Sequence, residues 1–343
     1  MKILGIETSC DETSVALVVN GKSILSNVVS SSIDLHKKTG GIVPEVAARK
    51  QVESIIPCLD ECLKSASTRI EEVDCVAVTT GPGLIGSLIV GVTVAKTLSL
   101  ILNKPLIPVN HLLAHIYANW LTNGLIGKGE KQNSIPQFPI VALIVSGGHT
   151  ELILMKNHHN IKYLGGTRDD AAGESFDKIA RILNLGYPGG PAIEREATKA
   201  NNKGTEVCLP RPLINSKDFD FSFSGLKTAT ATAIRTEKYT TAEISYSFQE
   251  TVCQILVKKT IKAALENKVP SVILAGGVSA NKRLRELFLN EERLRDAAIK
   301  VHIPTISFCT DNAAAIASCA YYHRKSVPLE QVYPNSSLSL NKF

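Results

Sequence analysis

The chain has 343 residues, of which 44% are hydrophobic and 20% are charged, and its formal net charge is +6. This length accommodates two domains with a buried core, and the composition is typical of a globular protein. The charge permits an anionic partner such as nucleic acid without requiring one. The eight cysteines include no CxxC pair, which disfavours a disulfide framework and indicates reduced thiols in a cytosol.

Two stretches bear on localisation. A strand-like run begins at Lys2, so we expect no signal peptide and a cytoplasmic protein. The most apolar long stretch, residues 84–102, contains Lys96 together with several Ser, Thr and Gly residues. This composition predicts a core helix and no association with a membrane.

The first part of the chain predicts a meander of three strands, followed by alternating helices and strands. A turn rich in hydroxyls and carboxylates, residues 8–13, separates the first two strands, and Pro44 begins a long helix. The predicted strands are 2–7, 14–19, 23–29, 73–79 and 106–109, and the predicted helices are 44–65, 84–102 and 111–123.

The same order of elements returns after Pro139, without sequence identity to the first part. A Gly-rich turn at 146–150 separates the first two strands, and Thr240 with Glu243 forms a capping box for a long helix. The predicted strands are 140–145, 151–155, 161–164, 271–274 and 300–306, and the predicted helices are 171–185, 191–201, 240–266 and 312–322. Residues 202–239 have a less regular pattern.

This repeat predicts an α/β protein with two similar RNase H-like halves and a cleft between them. That is the architecture of actin, sugar kinases and Hsp70, known as the ASKHA fold. We expect an N-terminal half at 1–110 and a C-terminal half at 111–343, with a helical insertion near 171–266 and terminal helices that cross between halves. Ligands of such sheets collect at strand carboxyl ends, beside Gly-rich turns and helix N-termini.

A pair of histidines follows the last strand of the first half. If this segment is helical, His111 and His115 lie on one face, one turn apart. Two imidazoles so placed can bind one metal ion. The alternative is two partly buried histidines in ordinary hydrogen bonds, and a third ligand is needed to favour a metal.

The repeat suggests that third ligand. Asp311 follows the last strand of the second half, at the position equivalent to His111. Its alternative role is to cap the helix that begins at residue 312, which is common for Asp. The spacing alone does not decide between a metal ligand and a helix cap.

Ten short segments together carry a family resemblance. They are GIETSCDET (5–13), GGIVPE (40–45), TGPGL (80–84), HLLAH (111–115), VSGGHT (145–150), DDAAGESFDK (169–178), YPGGP (187–191), FSFSGLK (221–227), GGVSAN (276–281) and CTDN (309–312). Each segment is weak evidence alone. All of them in this order, over essentially the whole chain, resemble the TsaD family of tRNA N6-adenosine threonylcarbamoyltransferases.

The resemblance implies a reaction, a metal and partners. The reaction transfers the threonylcarbamoyl group from threonylcarbamoyl-adenylate to N6 of adenosine 37, in tRNAs that read codons beginning with A, and forms t6A. The implied cofactor is one divalent metal ion, Fe²⁺ or else Zn²⁺, bound by His111, His115 and Asp311. The implied partners are tRNA, threonylcarbamoyl-adenylate, a small paralogous subunit of the same fold and an ATPase subunit.

The resemblance also implies a binding site for the adenylate. Gly residues in its turns let backbone N–H groups approach a phosphate, and its two carboxylates can bind ribose hydroxyls. The implied residues are Ile144, Val145, Ser146, Gly147, Gly148, Asp177, Gly190, Glu194 and Asn281. The alternative is that the carboxylates are solvated helix positions and that the glycines only shape turns.

Asp11 and Glu12 are the candidates that orient or deprotonate the adenine amine, although acidic residues in such turns often only shape the turn. Two basic clusters are candidates for contact with tRNA, and the alternative is that they are solvated helix faces. They contain Lys37, Lys38, Arg49 and Lys50, and Lys282, Arg283, Arg285, Arg293 and Arg295.

Three other functions compete with this interpretation. A zinc protease needs Glu directly after the first His, where the chain has Leu112. An actin-like kinase or ATPase fits the fold, but a metal held by two histidines is not a usual Mg²⁺ arrangement. A non-catalytic scaffold subunit is expected to lack the histidine pair.

Overall fold

The computed structural model describes residues 1–123, 135–200 and 207–340. Its strands are β1 (Lys2–Glu7), β2 (Glu12–Val19), β3 (Ser23–Ser31), β4 (Cys75–Gly81), β5 (Leu106–Asn110), β6 (Thr122–Asn123), β7 (Ile140–Val145), β8 (Thr150–Asn157), β9 (Asn160–Gly166), β10 (Ser271–Ala275) and β11 (Lys300–His302). Its helices are α1 (Ile33–Thr39), α2 (Pro44–Ser65), α3 (Ile85–Leu102), α4 (His111–Tyr117), α5 (Ala172–Ile182), α6 (Gly189–Ala197), α7 (Ser224–Arg235), α8 (Thr241–Glu266), α9 (Lys282–Leu289), α10 (Glu292–Asp296) and α11 (Ala313–His323).

Contacts within the chain divide it into two compact units. The first unit is Met1–Ile135 with Ile306–Phe343, and the second unit is Pro136–Thr305. The sequence interpretation places the boundary between the halves after residue 110. The contacts instead group residues 111–135 and residues 306–343 with the first sheet. The physical reason is that α11 packs on β1, β2 and α4.

Each unit contains one mixed sheet, and the two sheets repeat one topology. The first sheet has the order β5-β4-β1-β2-β3-β6 and the second has the order β11-β10-β7-β8-β9. In both sheets the first three strands of this order are parallel and the meander strands are antiparallel. The predicted repeat of elements, and with it the α/β fold class, is therefore confirmed.

The cores follow from the apolar runs of the sequence. Every residue of β4, β7 and β10 is buried, as expected for strands that are covered on both faces. In the second unit α8 fills the core, and Phe248 packs edge-on against Phe176 of α5 with ring centroids 5.2 Å apart. The predicted capping box is present, because the Thr240 hydroxyl accepts from the Glu243 N–H and the Glu243 carboxylate accepts from the Thr240 N–H.

A glycine in β1 sets the position of α11. A Cβ atom built on Gly5 would lie 2.3 Å from the Ala313 carbonyl oxygen and 3.1 Å from the Ala317 Cβ. The Ser14 hydroxyl on β2 also accepts a hydrogen bond from the Ala313 N–H at 2.9 Å. The N-terminus of α11 therefore lies directly on the first sheet because residue 5 has no side chain.

Several predicted elements differ from the structure. The helix predicted at 111–123 ends at Tyr117, and a 3₁₀ turn, Ala118–Trp120, leads from it to β6, which pairs with β3. The strand predicted at 300–306 ends at His302, close to Pro304, which has no N–H to donate to a sheet. The less regular segment 202–239 contains α7, and its residues 202–206, like residue 201 of the predicted helix 191–201, lie outside the described residues. The short helices α1 and α10 were not predicted.

Helix α3 is long and apolar enough to cross a membrane, judged by length and composition only. A single such helix is weak evidence for a membrane span. One face of α3 is buried through residues such as Leu88, Val92 and Ala95, and it packs on β4 and α2. The opposite face exposes Ile85 and Ile89, so the prediction of a core helix holds for one face only.

Candidate functional site

The two histidines and the aspartate come together within the first unit. His111 and His115, at the two ends of one turn of α4, face each other with their Nε2 atoms 3.1 Å apart. Oδ1 of Asp311 lies 3.3 Å from His115 Nε2 and 3.6 Å from His111 Nε2. All three side chains are mostly or fully buried, so this is a compact set of nitrogen and oxygen donors.

Neighbouring asparagines explain how both ends of the site are held. The Asn110 side chain caps α4 by accepting from the N–H groups of Leu112 and Leu113. The Asn312 side chain caps α11 by accepting from the Ala315 N–H at 3.0 Å. Asn312 rather than Asp311 is therefore the cap, and the carboxylate of Asp311 faces the two histidines.

The spacing of these donors fits a first-row transition metal ion. Two ligand atoms about 2.1 Å from one ion, at about 90–110° to each other, lie about 3.0–3.4 Å apart. The three donor distances, 3.1, 3.3 and 3.6 Å, are close to this range. Two imidazoles with one carboxylate suit Fe²⁺ or Zn²⁺, whereas Mg²⁺ and Ca²⁺ prefer oxygen ligands.

The buried carboxylates near His111 and His115 favour a positive charge at this position. Burial would lower the pKa of His111, but the carboxylates of Asp311 and Glu7 raise it to about 9. Burial would raise the pKa of Asp311, but the two imidazoles hold it well below its ordinary value. In the absence of a metal ion, a proton on His111 therefore balances the buried carboxylates, and a bound cation would replace that proton.

Sequence reasoning missed Glu7, which contacts this set. Its carboxylate lies at the end of β1, is 1% exposed, and has Oε2 3.0 Å from Nδ1 of His111. The signal that could have found it is an acidic residue directly after the buried run Ile3–Ile6, at the carboxyl end of the central strand.

The polar turn between β1 and β2 lies beside the same site. The Ser9 hydroxyl is 3.2 Å from His111 Nδ1 and donates to Asp311 Oδ2 at 3.4 Å. The amide of Gln51 in α2 donates to the carbonyl oxygens of Cys10 and Glu12, both at 3.0 Å. A further hydrogen bond, from the Ser87 hydroxyl of α3 to the Cys10 carbonyl at 3.1 Å, ties the turn to a second helix.

One carboxyl group of this turn has a strongly raised pKa. Burial, together with hydrogen bonding and the negative charge of Asp11, raises the pKa of Glu12 to about 10. Glu12 therefore holds a proton at neutral pH, and its Oε1 accepts a hydrogen bond from the Ser31 hydroxyl at 2.9 Å. Burial and the nearby carboxylates also raise the pKa of the Cys10 thiol, which disfavours a nucleophilic thiolate there.

The residues implied to bind the adenylate belong to the second unit, where they lie at the end of β7, in the turn after it, in α5 and α6, and at the N-terminus of α9. Gly276 approaches the end of β7, since a Cβ there would lie 2.5 Å from the Val145 carbonyl oxygen. The Ser146 carbonyl accepts from the Gly173 N–H at the beginning of α5. Gly147 and Gly148 are exposed, and a Cβ on either would meet nothing within 4 Å, so the turn after β7 is open to a ligand.

The side chains of this group have definite partners. Asp177 Oδ1 accepts from the Gly189 N–H at 2.7 Å, and burial raises the pKa of Asp177. Glu194 Oε1 accepts from the Lys282 N–H at 2.7 Å. Asn281 caps α9 and donates to Gln249 Oε1 at 2.9 Å. Neither carboxylate is a merely solvated helix position, and the Asn281 side chain already serves as a helix cap.

Comparison with known proteins decides the family. The family model for TsaD, tRNA N6-adenosine threonylcarbamoyltransferase, matches residues 23–318. The chain belongs to the TsaD family. A curated relative with this name from Persephonella marina is 49% identical over 94% of this chain and 90% of its own length. Another from Syntrophomonas wolfei is 48% identical and covers 98% of both chains.

Solved structures of distant proteins support the fold alone. Component A of (R)-2-hydroxyglutaryl-CoA dehydratase from Acidaminococcus fermentans has a TM-score of 0.53 at 15% identity, covering 94% of this chain and 98% of its own. HypF from T. kodakarensis has a TM-score of 0.60 at 15% identity, covering 94% of this chain and 47% of its own. These likenesses agree with the ASKHA fold that is expected for a TsaD family member.

Membership of the TsaD family confirms the resemblance, the fold class and the interpretation as a transferase that acts on tRNA. It also fits a metal-dependent protein, since the His–His–Asp set is present. The protease interpretation has no support at the site, because the position after His111 is the buried apolar Leu112. The roles of individual residues remain predictions.

Several residues of the predicted basic clusters pair with nearby carboxylates. Arg49 pairs with Glu45 and Arg293 pairs with Glu291, both at 2.6 Å. Arg283 pairs with Glu250 at 2.6 Å. Because surface ion pairs of this kind are weak, the contact of these two clusters with tRNA stays a prediction.

Proposed function

We propose that this chain transfers the threonylcarbamoyl group of threonylcarbamoyl-adenylate to N6 of adenosine 37 in tRNAs that read codons beginning with A, forming t6A. The observation that carries the proposal is the His111–His115–Asp311 set in a chain that matches the TsaD family over most of its length. In the reaction a bond forms between N6 and the carbamoyl carbon. The bond from that carbon to the phosphate oxygen breaks, AMP leaves with the electron pair, and N6 loses a proton.

The difficulty of this reaction lies in its nucleophile, because the lone pair of the adenine N6 amine is delocalised into the ring. Catalysis therefore needs a polarised carbonyl, an aligned amine and a stabilised leaving group. A metal ion, for which we propose Fe²⁺ first and Zn²⁺ as the alternative, would supply Lewis-acid polarisation when bound. The residues that would hold it are His111, His115 and Asp311.

The first polar turn supplies candidates to handle the amine. Because Glu12 holds a proton, we propose Glu12 as a hydrogen-bond donor and Asp11, the other carboxyl group of the turn, as the acceptor. A carboxyl oxygen that accepts from the N6 amine can orient it and take its proton as the bond to carbon forms. Gln51 and Ser87 keep the turn in place through the carbonyl of Cys10.

The turn after β7 and its neighbours in the second unit are the proposed adenylate site. Its open glycines, Gly147 and Gly148, leave room for a phosphate beside backbone N–H groups. Asp177 uses Oδ1 to hold the Gly189 N–H, so Oδ2 can accept from a ribose hydroxyl. The other proposed contacts are Ile144, Val145, Ser146, Gly190, Glu194 and Asn281.

We further propose that a small paralogous subunit of the same fold docks on α2 and α3, and that an ATPase subunit completes a cytoplasmic complex. Support comes from apolar residues exposed one turn apart on each helix, Val52 with Ile56 and Ile85 with Ile89. The two helices touch near these residues. A Cβ on Gly86 would lie 3.3 Å from the Ala48 Cβ, one turn before Val52. Exposed apolar surface of this kind is typical of a protein interface.

Mass spectrometry of tRNA nucleosides tests the function. The purified chain, alone and with its proposed partner subunits, is mixed with threonylcarbamoyl-adenylate and unmodified tRNA. We expect t6A to form, and a tRNA with guanosine at position 37 to give none. Hydrolysis of ATP without any transfer, with every subunit present, would instead support the kinase or ATPase alternative.

A further inference from the structure

The carboxylate of Glu7 is buried at the carboxyl end of β1 and is surrounded by donors. It accepts from the Ser9 N–H, from the Thr79 hydroxyl at 2.6 Å, and has Oε2 3.0 Å from His111 Nδ1. In the part of the chain that the structure describes, the basic side chain paired with this carboxylate is His111. A buried carboxylate is costly unless it is hydrogen-bonded and paired, so this arrangement needs a reason beyond the local turn.

The orientation of His111 supplies that reason. A carboxylate that accepts at Nδ1 keeps a ring N–H on Nδ1, so Nε2 is the nitrogen that gives up its proton and binds when a metal ion enters. Nε2 is the atom that faces His115 and Asp311, at 3.1 and 3.6 Å. The Glu7–His111 contact therefore favours the tautomer in which all three donors point at one place.

We propose that Glu7 is a positioning residue, which fixes the Nδ1–H form of His111 and thereby raises the affinity of the His111–His115–Asp311 set for its metal ion. This inference rests on the proposed metal-dependent function. Outer partners of this kind raise the basicity of the coordinating nitrogen, and losing them commonly weakens metal binding about 10–100-fold.

A purely structural role for Glu7 makes a different prediction. If Glu7 only holds the turn, Gln can replace it. An amide oxygen at the Oε1 position still accepts from the Ser9 N–H, and an NH₂ at the Oε2 position can donate to the Thr79 hydroxyl oxygen, because a hydroxyl both donates and accepts. The amide NH₂ of Gln would then donate to His111 Nδ1, which favours the Nε2–H form that cannot bind a metal through Nε2. Glu7→Gln therefore separates the two roles, since it preserves the turn while reversing the preferred tautomer.

The test compares Glu7→Gln with wild type, with Thr79→Val, which removes one donor but keeps the carboxylate, and with the exposed control Glu72→Gln. Zn²⁺ dissociation constants are measured by competition with a chromophoric chelator, and Co²⁺ absorption reports the ligand geometry. We expect Glu7→Gln to weaken Zn²⁺ binding about 10–100-fold and to alter the Co²⁺ spectrum. Thr79→Val should lose only a few-fold, which is about the effect of one hydrogen bond, and Glu72→Gln should match wild type.

Nitrogen-15 NMR of the zinc-loaded wild type provides a second measurement that does not depend on the folding of a variant. We expect the ring proton of His111 on Nδ1 and zinc on Nε2. A ring proton on Nε2, or an unchanged Zn²⁺ affinity in folded Glu7→Gln, would overturn the inference. If the His111–His115–Asp311 set does not bind the metal ion at all, Asp311→Ala would also leave Zn²⁺ binding unchanged. This result distinguishes failure of the proposed metal-dependent function from failure of the inference about Glu7.

Discussion

Replacing Gly5 by Ala perturbs the metal site from a distance, through the packing of α11 on β1. The new Cβ would lie 2.3 Å from the Ala313 carbonyl oxygen, and contacts under 3.0 Å are essentially never seen. The clash is with a backbone oxygen, so no side-chain rotation can relieve it. The N-terminus of α11 must therefore move away from β1 by about 1 Å. Asp311 lies two residues before Ala313, so its carboxylate should move by a similar distance.

A shift of that size exceeds what a metal site tolerates, because ligand distances must hold to about 0.2 Å. Oδ1 of Asp311 is now 3.3 Å from His115 Nε2, and a retreat of about 1 Å would take it out of a shared coordination sphere. We expect Zn²⁺ affinity to fall about 10–100-fold and the free energy of unfolding to fall by about 1–3 kcal/mol.

The assay is chelator competition on folded Gly5→Ala, with thermal unfolding measured in parallel. Gly225→Ala in α7 is the matched control, because its Cβ would meet Pro212 Cγ at an ordinary 3.5 Å. That variant should keep wild-type affinity, and its free energy of unfolding should be unchanged or higher by up to about 1 kcal/mol. Unchanged Zn²⁺ affinity in destabilised Gly5→Ala would refute the claim that α11 packing sets the position of Asp311.

Three further predictions concern the surface, the turn and the histidine. Ile89→Asp should weaken binding of the small paralogous subunit by about 30-fold or more in calorimetry. Ile101→Asp, equally apolar but about 18 Å along the same helix, should not weaken it. Gln51→Leu leaves buried carbonyl groups of the 8–12 turn without their hydrogen-bond donor. The free energy of unfolding should therefore fall by about 1–3 kcal/mol, and turnover should fall while the metal content stays unchanged. In metal-free protein the raised pKa of His111, about 9, adds stability below its unfolded value near 6.5. This stability is lost as pH rises through 9, so the stability advantage over His111→Asn should shrink across that window; an advantage that stays constant would contradict it.

The repeated topology could be predicted because it depends on local patterns. Some local patterns indicate the structure in which they occur. Examples are apolar runs such as Ile140–Val145, the polar turns after them and the Thr240–Glu243 capping box. The equivalence of His111 and Asp311 followed from that repeat without any contact being known.

The remaining features depend on residues that are distant in sequence. Both Asp311 and Asn312 are good helix caps, and only the structure shows that Asn312 takes this role. Glu7 meets His111 across 104 positions of sequence. Helix α7 was missed because its first N–H groups are held by Asp169, 54 and 55 residues earlier. No local pattern reports such partners.

The central claim is that threonylcarbamoyl transfer depends on a metal ion held by His111, His115 and Asp311. The most direct test quantifies t6A by nucleoside mass spectrometry, using the assembled complex after chelation and again after reloading with Fe²⁺ or Zn²⁺. We predict that wild type loses t6A formation on chelation and regains it on reloading, and that Asp311→Ala forms none in either state. Undiminished t6A formation by the chelated complex or by Asp311→Ala would contradict the account.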